Sequence, residues 1–267
     1  MKQKISITID IKTLDGIDSI IDNIFIRNRS QAIEHLVNSS LGENKIAVIL
    51  GGGDEKKQKI DENSYRPTAK INEQTIIELA IKKLRENGFK TIFIIAKEKI
   101  LTKIFEVLKD GSSFGVKITY VEEKRSIGTA ESLKLLKGKI NSDFLVVYSD
   151  LIFSKIKIDE LWKTHLKNDA LATLMMTTSS KPSEKGTLTV EGNKILNFTQ
   201  KPKKSDIYLV FSPIFAAEAE LLEYDGDSLE KDVFPMIAEK GLLEGHLSSE
   251  KEIHIHTIED VKKYRKT

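Results

Sequence analysis

Cysteine is absent from the 267 residues. That excludes a disulfide framework, a thiol nucleophile and cysteine-ligated zinc, and it fits a reducing compartment. No run of about 18 consecutive apolar residues occurs, and the N-terminus carries no apolar run of signal-peptide length. The expectation is a soluble, cytoplasmic protein with no membrane partner. Charge of one sign is not in excess, with 42 Lys and Arg against 40 Asp and Glu, so net charge points to no class of partner. Internal repeats and low-complexity segments are also missing.

What is present divides into two patterns. In residues 4–10, Ile5, Ile7 and Ile9 alternate with Lys4, Ser6 and Thr8, which predicts a half-buried strand. Leu14, Ile17, Ile20, Ile21 and Ile24 follow at helical spacing. Asn28 is a good cap for a second helix, and Gln31 stands three residues on, as in a capping box. Gly42 ends that helix. One strand and two short helices cannot bury a core alone, so pairing with a second copy through the strand is expected. From Lys45 the pattern changes. The runs 46–50, 91–95 and 144–148 are continuously apolar, and 75–87 and 97–108 have helical spacing. Buried strands alternating with helices predict a mainly parallel sheet covered on both faces.

Residues 1–43 resemble the ribbon-helix-helix DNA-binding modules, carried by the alternating strand and the Arg29-Ser30 pair. The resemblance implies duplex DNA as a partner. Lys4, Ser6 and Thr8 would face the major groove, and Asn28, Arg29 and Ser30 would hold a phosphate at the helix start. Against this, residues 1–44 hold five Lys or Arg and six Asp or Glu, a net charge of −1, while DNA affinity rests on phosphate neutralisation.

Residues 45–267 resemble the sugar-phosphate nucleotidylyltransferases, a Rossmann-like α/β fold. The signals are Gly51-Gly52-Gly53 after a strand, Arg66-Pro67, Ile127-Gly128-Thr129-Ala130 preceded by Glu122-Glu123, Tyr148-Ser149-Asp150, Gln200-Lys201-Pro202 and the segment 227–235. The resemblance implies a nucleoside triphosphate or nucleotide-sugar on Gly51, Gly52, Gly53, Glu122, Gly128 and Thr129. It implies a sugar phosphate on Gly186, Gln200 and Lys201, and magnesium on Asp150. Several positions depart from the family pattern. Lys57 and Lys70 are the candidate stand-ins for its catalytic cations, Glu55 would face triphosphate charge, Thr68 replaces a lysine, and His254 falls where a second metal-binding aspartate belongs. His254 and His256 share a strand face and could bind a transition metal, although two histidines without a third ligand are more often ordinary strand residues. These departures predict a DNA-binding transcriptional regulator that senses a nucleotide through a catalytically impaired domain. The alternative is an active sugar-1-phosphate nucleotidylyltransferase that dimerises through its N-terminal module.

Overall fold

The computed structural model describes residues 5–21, 26–41, 45–62 and 64–265. The chain divides into two compact units, residues 1–45 and 46–267.

In the N-terminal unit, helix α1 spans Ile11–Ser19 and α2 spans Arg29–Leu41. Asp10 caps α1 by accepting from the Thr13 amide at 3.0 Å, and Asn28 accepts from the Gln31 amide at the start of α2, also at 3.0 Å. Gln31 in turn accepts from the Arg27 amide at 2.7 Å, one residue short of a reciprocal capping box. Ile17 and Ala32 are buried, but Ile5, Ile7 and Ile11 are 73, 54 and 78 % exposed. Residues 5–10 form no strand. The reason is physical: alternation marks a segment able to pair, but a ladder needs a second strand, and this unit supplies none among its described residues. The expected ribbon-helix-helix architecture is therefore not shown. Lys4 lies outside the described residues.

The larger unit is built on a nine-stranded sheet: β1 Lys45–Gly51, β2 Phe89–Ala96, β3 Lys117–Glu122, β4 Phe144–Tyr148, β5 Ala172–Thr178, β6 Gly186–Glu191, β7 Lys194–Gln200, β8 Leu209–Ala217 and β9 Leu243–Leu247. The order is β3-β2-β1-β4-β8-β5-β9-β7-β6. The β1–β4, β2–β3 and β5–β9 pairs are parallel, whereas β8 runs antiparallel to both β4 and β5.

The apolar runs are continuous because both faces are covered. Along β1, Ala47 and Ile49 join a cluster with Ile77, Ile81, Leu84 and Trp162, while Val48 and Leu50 join the opposite one with Phe215 and Phe234. Helix α3 is the short turn Glu55–Gln58. Helix α4, Ile76–Glu86, starts in a capping box between Thr75 and Glu78 and buries Ile77, Ile81 and Leu84 at three-to-four spacing. Truncating the fully buried Leu84 to Ala would cost about 2–5 kcal/mol. The remaining helices are α5 Glu98–Leu108, α6 Thr129–Lys134, α7 Ile158–His165, α8 Phe234–Glu239 and α9 Ile258–Arg265. Among the described residues no helix is long and apolar enough to cross a membrane.

Adjacent parallel strands β1 and β4 end together, Leu50 beside Tyr148, and the Ser149 amide donates to the Leu50 carbonyl at 2.9 Å. Two loops therefore leave the sheet side by side, 51–54 and 149–150. A crevice at the carboxyl ends of such strands is where open α/β sheets bind ligands.

Candidate active site

The first cavity beside these loops has a volume of about 250 Å³ and is lined by Gly52, Gly53, Glu123, Gly128, Thr129 and Asp150, among others. Gly53 has φ +106°, a conformation that glycine adopts without strain. A Cβ on Gly52 would lie 2.8 Å from both carboxylate oxygens of Glu123. That carboxylate, buried at 3 % exposure, shapes the loop from behind. It accepts from the Gly53 amide at 3.0 Å, from Ser126 Oγ at 3.1 Å and from Ser132 Oγ. A Cβ on Gly128 would meet the Asp227 carbonyl at 2.3 Å, so the turn before α6 passes against main chain. Thr129 Oγ1 donates to Glu230 Oε2 at 2.7 Å, and Tyr148 donates to the other oxygen of the same carboxylate. Burial, then the Glu230 charge, push the Tyr148 hydroxyl well above its ordinary pKa, so it stays a donor.

A second cavity of about 440 Å³ is lined by Lys185, Gly186, Gln200, Lys201, His254 and His256, and it shares Tyr148 and Asp150 with the first. A Cβ on Gly186 would collide with the Phe198 ring at 2.5 Å. Gln200 Oε1 is buried without a partner among the described residues, an acceptor in want of a donor. Lys201 is held at φ +45°, unusual for a side-chain-bearing residue, while its amide donates to the Lys185 carbonyl at 3.0 Å. Pro213 also lines this cavity, in the stretch of β8 where its register with β5 shifts, a place that tolerates a missing N–H.

Asp150 stands where the cavities meet. Arg66 Nη1 and His256 Nε2 each approach its Oδ2 at 3.3 Å. Burial alone would raise the Asp150 pKa, but His256, His254 and Arg66 together hold it below the ordinary carboxylate value, so it is ionised at neutral pH. His254 arrives on a short strand, Ile253–His254, that pairs with Leu151–Ile152; His256 follows just past its end, where the Ile255 amide donates to the Asp150 carbonyl at 3.0 Å. Behind them, the buried Glu252 accepts from His254 Nε2 at 3.1 Å and from Lys185 Nζ at 2.6 Å. Burial pushes the Glu252 pKa up, yet these contacts bring it down to about 2.

The donors around Asp150 differ from an all-oxygen magnesium site. Magnesium selects oxygen ligands in a near-ideal octahedron. Here one carboxylate oxygen is joined by two imidazole nitrogens.

Other expected residues also lie elsewhere. Among the described residues, Lys57 and Lys70 line neither cavity. Lys57 is exposed on α3. Lys70 borders a separate cleft with Thr68, because residues 66–68 form a tight turn in which Thr68 Oγ1 accepts from the Tyr65 amide at 3.1 Å. The same turn sends Arg66 to Asp150. Glu122 ends β3 exposed; strand alternation gives the inward position to Glu123. Glu55 does not border the cavity. Its Oε1 accepts from Tyr65 at 3.1 Å and Lys99 at 3.3 Å. Sequence reasoning gave no role to Lys185, Glu230 or Glu252, although Glu230 lies in the matched segment 227–235 and Lys185 adjoins Gly186.

In the N-terminal unit, Arg29 meets Asp18 through two hydrogen bonds of 2.7 Å. Its guanidinium is thus already engaged by a carboxylate. Ser6, Thr8 and Ser30 are exposed, and Asn28 is used as a helix cap.

Residues 46–250 match the model of the family described as "Nucleotidyl transferase", and the chain belongs to that family. Among curated relatives, "Probable mannose-1-phosphate guanylyltransferase 1" of Oryza sativa subsp. japonica is 29 % identical over 73 % of this chain and 56 % of its own length. The mannose-1-phosphate guanyltransferase of Yarrowia lipolytica is 26 % identical over 72 % and 54 %. The chain spans about half the length of the curated relatives it matches. A solved structure from Bacillus anthracis, assigned as a glucose-1-phosphate thymidylyltransferase, shares the fold at TM-score 0.76 and 19 % identity, covering 83 % of this chain and 94 % of that one. These findings overturn the expectation of a DNA-binding regulator. The family and its named relatives are transferases, and the module's Arg29 faces its own Asp18.

Proposed function

We propose that this chain is an active sugar-1-phosphate nucleotidylyltransferase. One observation carries the reading: two cavities, one walled by main chain at Gly52, Gly53 and Gly128, the other by Lys185, Gln200 and Lys201, share Asp150 and Tyr148 at their junction. A nucleoside triphosphate in the first and a sugar 1-phosphate in the second would meet there.

The reaction follows from that placement. An oxygen of the sugar phosphate attacks the α-phosphorus in line, a new P–O bond forms, and the bond to the β-phosphate oxygen breaks to release pyrophosphate. Little covalent chemistry falls to the protein; positioning and charge neutralisation dominate. Arg66 at the junction and Lys185 and Lys201 in the second cavity are the cations this chain places there. Gln200 Oε1 would accept from a sugar hydroxyl. The objection from Glu55 weakens, because its carboxylate is held by Tyr65 and Lys99.

The test is pyrophosphate release from nucleoside triphosphates paired with hexose 1-phosphates, supplied with divalent ions. GTP with mannose 1-phosphate comes first, since the relatives are named for that pair. Turnover with at least one pair is expected. Absence of turnover with every pair, in protein that binds neither substrate, would sink the reading.

For the N-terminal unit we propose self-association of two copies through residues 5–10. The support is a segment without secondary structure of its own that leaves Ile5 73 % and Ile7 54 % exposed. Ile5→Lys with Ile7→Lys should convert a dimer to a monomer in sedimentation; unchanged mass would refute it.

A further inference from the structure

We propose that Asp150, His254 and His256 form a binding site for a divalent first-row transition metal ion rather than for magnesium. The inference rests on the transferase reading only for what enters the remaining coordination positions, namely substrate phosphate oxygens.

Three observations carry it. First, one donor atom from each residue lies within 4.8 Å of the others. Ligands bound at about 2.1 Å stand roughly 3.0–3.4 Å apart when adjacent and about 4.2 Å apart when opposite. The 3.3 Å between His256 Nε2 and Asp150 Oδ2 already equals an adjacent pair, and the other separations, up to 4.8 Å, would close by up to about 0.6 Å for opposite ligands or about 1.4 Å for adjacent ones. Second, the donor chemistry is selective. Imidazole suits zinc, cobalt and their neighbours, whereas magnesium takes oxygen. Two histidines with one carboxylate leave positions open, as in catalytic rather than structural sites.

Third, the outer contacts are those of a ligand. Glu252 Oε1 sits 3.1 Å from His254 Nε2 and has no exposed side-chain surface. A carboxylate there accepts a hydrogen bond from Nε2–H of a neutral imidazole and leaves the Nδ1 lone pair for a metal. Lys185 anchors the same oxygen at 2.6 Å, so the carboxylate is fixed before any ion arrives. The main chain is fixed as well, by the Ile255 amide on the Asp150 carbonyl.

The competing arrangement is a protonated His256 that merely pairs with Asp150, as Arg66 does on the same oxygen. The experiment separates the two. The full chain is stripped with a chelator, then titrated with Co2+, Zn2+ and Mg2+ by calorimetry, with Co2+ visible absorption as the second readout, and no substrate present. One Co2+ or Zn2+ per chain should bind at least about 100-fold more tightly than Mg2+. His256→Ala is the safest variant, since that side chain is 52 % exposed and its loss leaves the core intact. It should weaken Co2+ binding at least about 10-fold and shift the Co2+ spectrum, and Glu252→Gln should weaken it about 10- to 100-fold. His246→Ala, in a separate cleft, should change neither. Co2+ binding no tighter than Mg2+, or wild-type Co2+ affinity in both His254→Ala and His256→Ala, would overturn the proposal. A chain that binds Co2+ through the three residues yet makes no nucleotide-sugar keeps this inference and removes the transferase reading. One that turns over fully on Mg2+, with both histidine variants at wild-type rate, does the reverse.

Discussion

The two cavities are built from different material. The first is walled in part by main chain at Gly52, Gly53 and Gly128, where Gly52 and Gly128 leave no room for a Cβ and the Gly53 amide is fixed by Glu123. The second is walled by side chains that carry charge or unsatisfied polarity, namely Lys185, Gln200, Lys201, His254 and His256. A wall made of main chain depends on a few glycines and tolerates change elsewhere. A wall made of side chains changes its chemistry with each substitution. The difference locates where this chain would resemble its relatives, and where its metal and sugar preferences would be its own.

The junction offers the largest test. Asp150→Asn keeps the shape and removes the charge that Arg66, His254 and His256 surround. Pyrophosphate release should fall by a factor of about 1,000, comparable to the loss of an aligned electrostatic group in other enzymes. Substrate affinities should move less than the rate. If the variant keeps more than a tenth of wild-type turnover, the junction is not where the reaction occurs.

A smaller effect isolates the main-chain wall. Gly52→Ala places a methyl group against both Glu123 oxygens at 2.8 Å, and the carboxylate cannot retreat without breaking its bonds to Gly53 and the two serines. Nucleoside triphosphate binding, by calorimetry, should weaken about 100-fold, an effect of about 2.7 kcal/mol. The KM for sugar 1-phosphate should stay within about two-fold. Equal losses on both substrates would erase the distinction between the walls.

Behind the side-chain wall, Glu252 adds a pH dependence. Its pKa is lowered to about 2 in the folded chain from an ordinary 4.5. The unfolded chain therefore binds the extra proton first as pH falls. The contribution to stability is complete above pH ~4.5 and drains away as pH drops toward ~2, to a total on the order of 3 kcal/mol. Denaturant midpoints measured from pH 6 to pH 3 should fall more steeply for wild type than for Glu252→Gln. Parallel curves would show that Lys185 and His254 do not stabilise this carboxylate.

The contrast also explains what the sequence disclosed. Strands such as 46–50 and 144–148 were legible because burial on both faces writes an unbroken apolar run. The glycine turns were legible because main-chain approach admits few residues. Which cation reaches Asp150 was not, since the turn at 66–68 decides between Arg66 and Lys70, and that turn depends on a Thr68 side-chain bond. The two histidines were visible as a pair, but their third partner became so only once Ile253–His254 paired with Leu151–Ile152. The N-terminal alternation predicted a strand, while the described chain at 5–10 has no strand to pair with.

The smallest expected effect is the sharpest on this point. Read along the sequence, Glu55 follows the glycine loop and should repel a triphosphate. In the folded chain it is a link between elements: Oε1 takes a hydrogen bond from Tyr65 and one from Lys99, 3.1 and 3.3 Å away, and the residue does not line the first cavity. Lys99 is 72 % exposed, so solvent screens that pair and it adds little stability. Glu55→Gln keeps an acceptor for both donors and removes the charge. If the carboxylate faced substrate phosphates, the change would relieve repulsion and tighten triphosphate binding, by several-fold at low salt where screening is weakest. The geometry predicts less than about two-fold at any ionic strength, because neighbouring cations offset the charge and the side chain points to Tyr65. Titration of triphosphate into Glu55→Gln and wild type, at low and at moderate salt, decides it. A salt-sensitive gain in affinity would return Glu55 to the phosphate wall, and with it the expectation of a weakened enzyme.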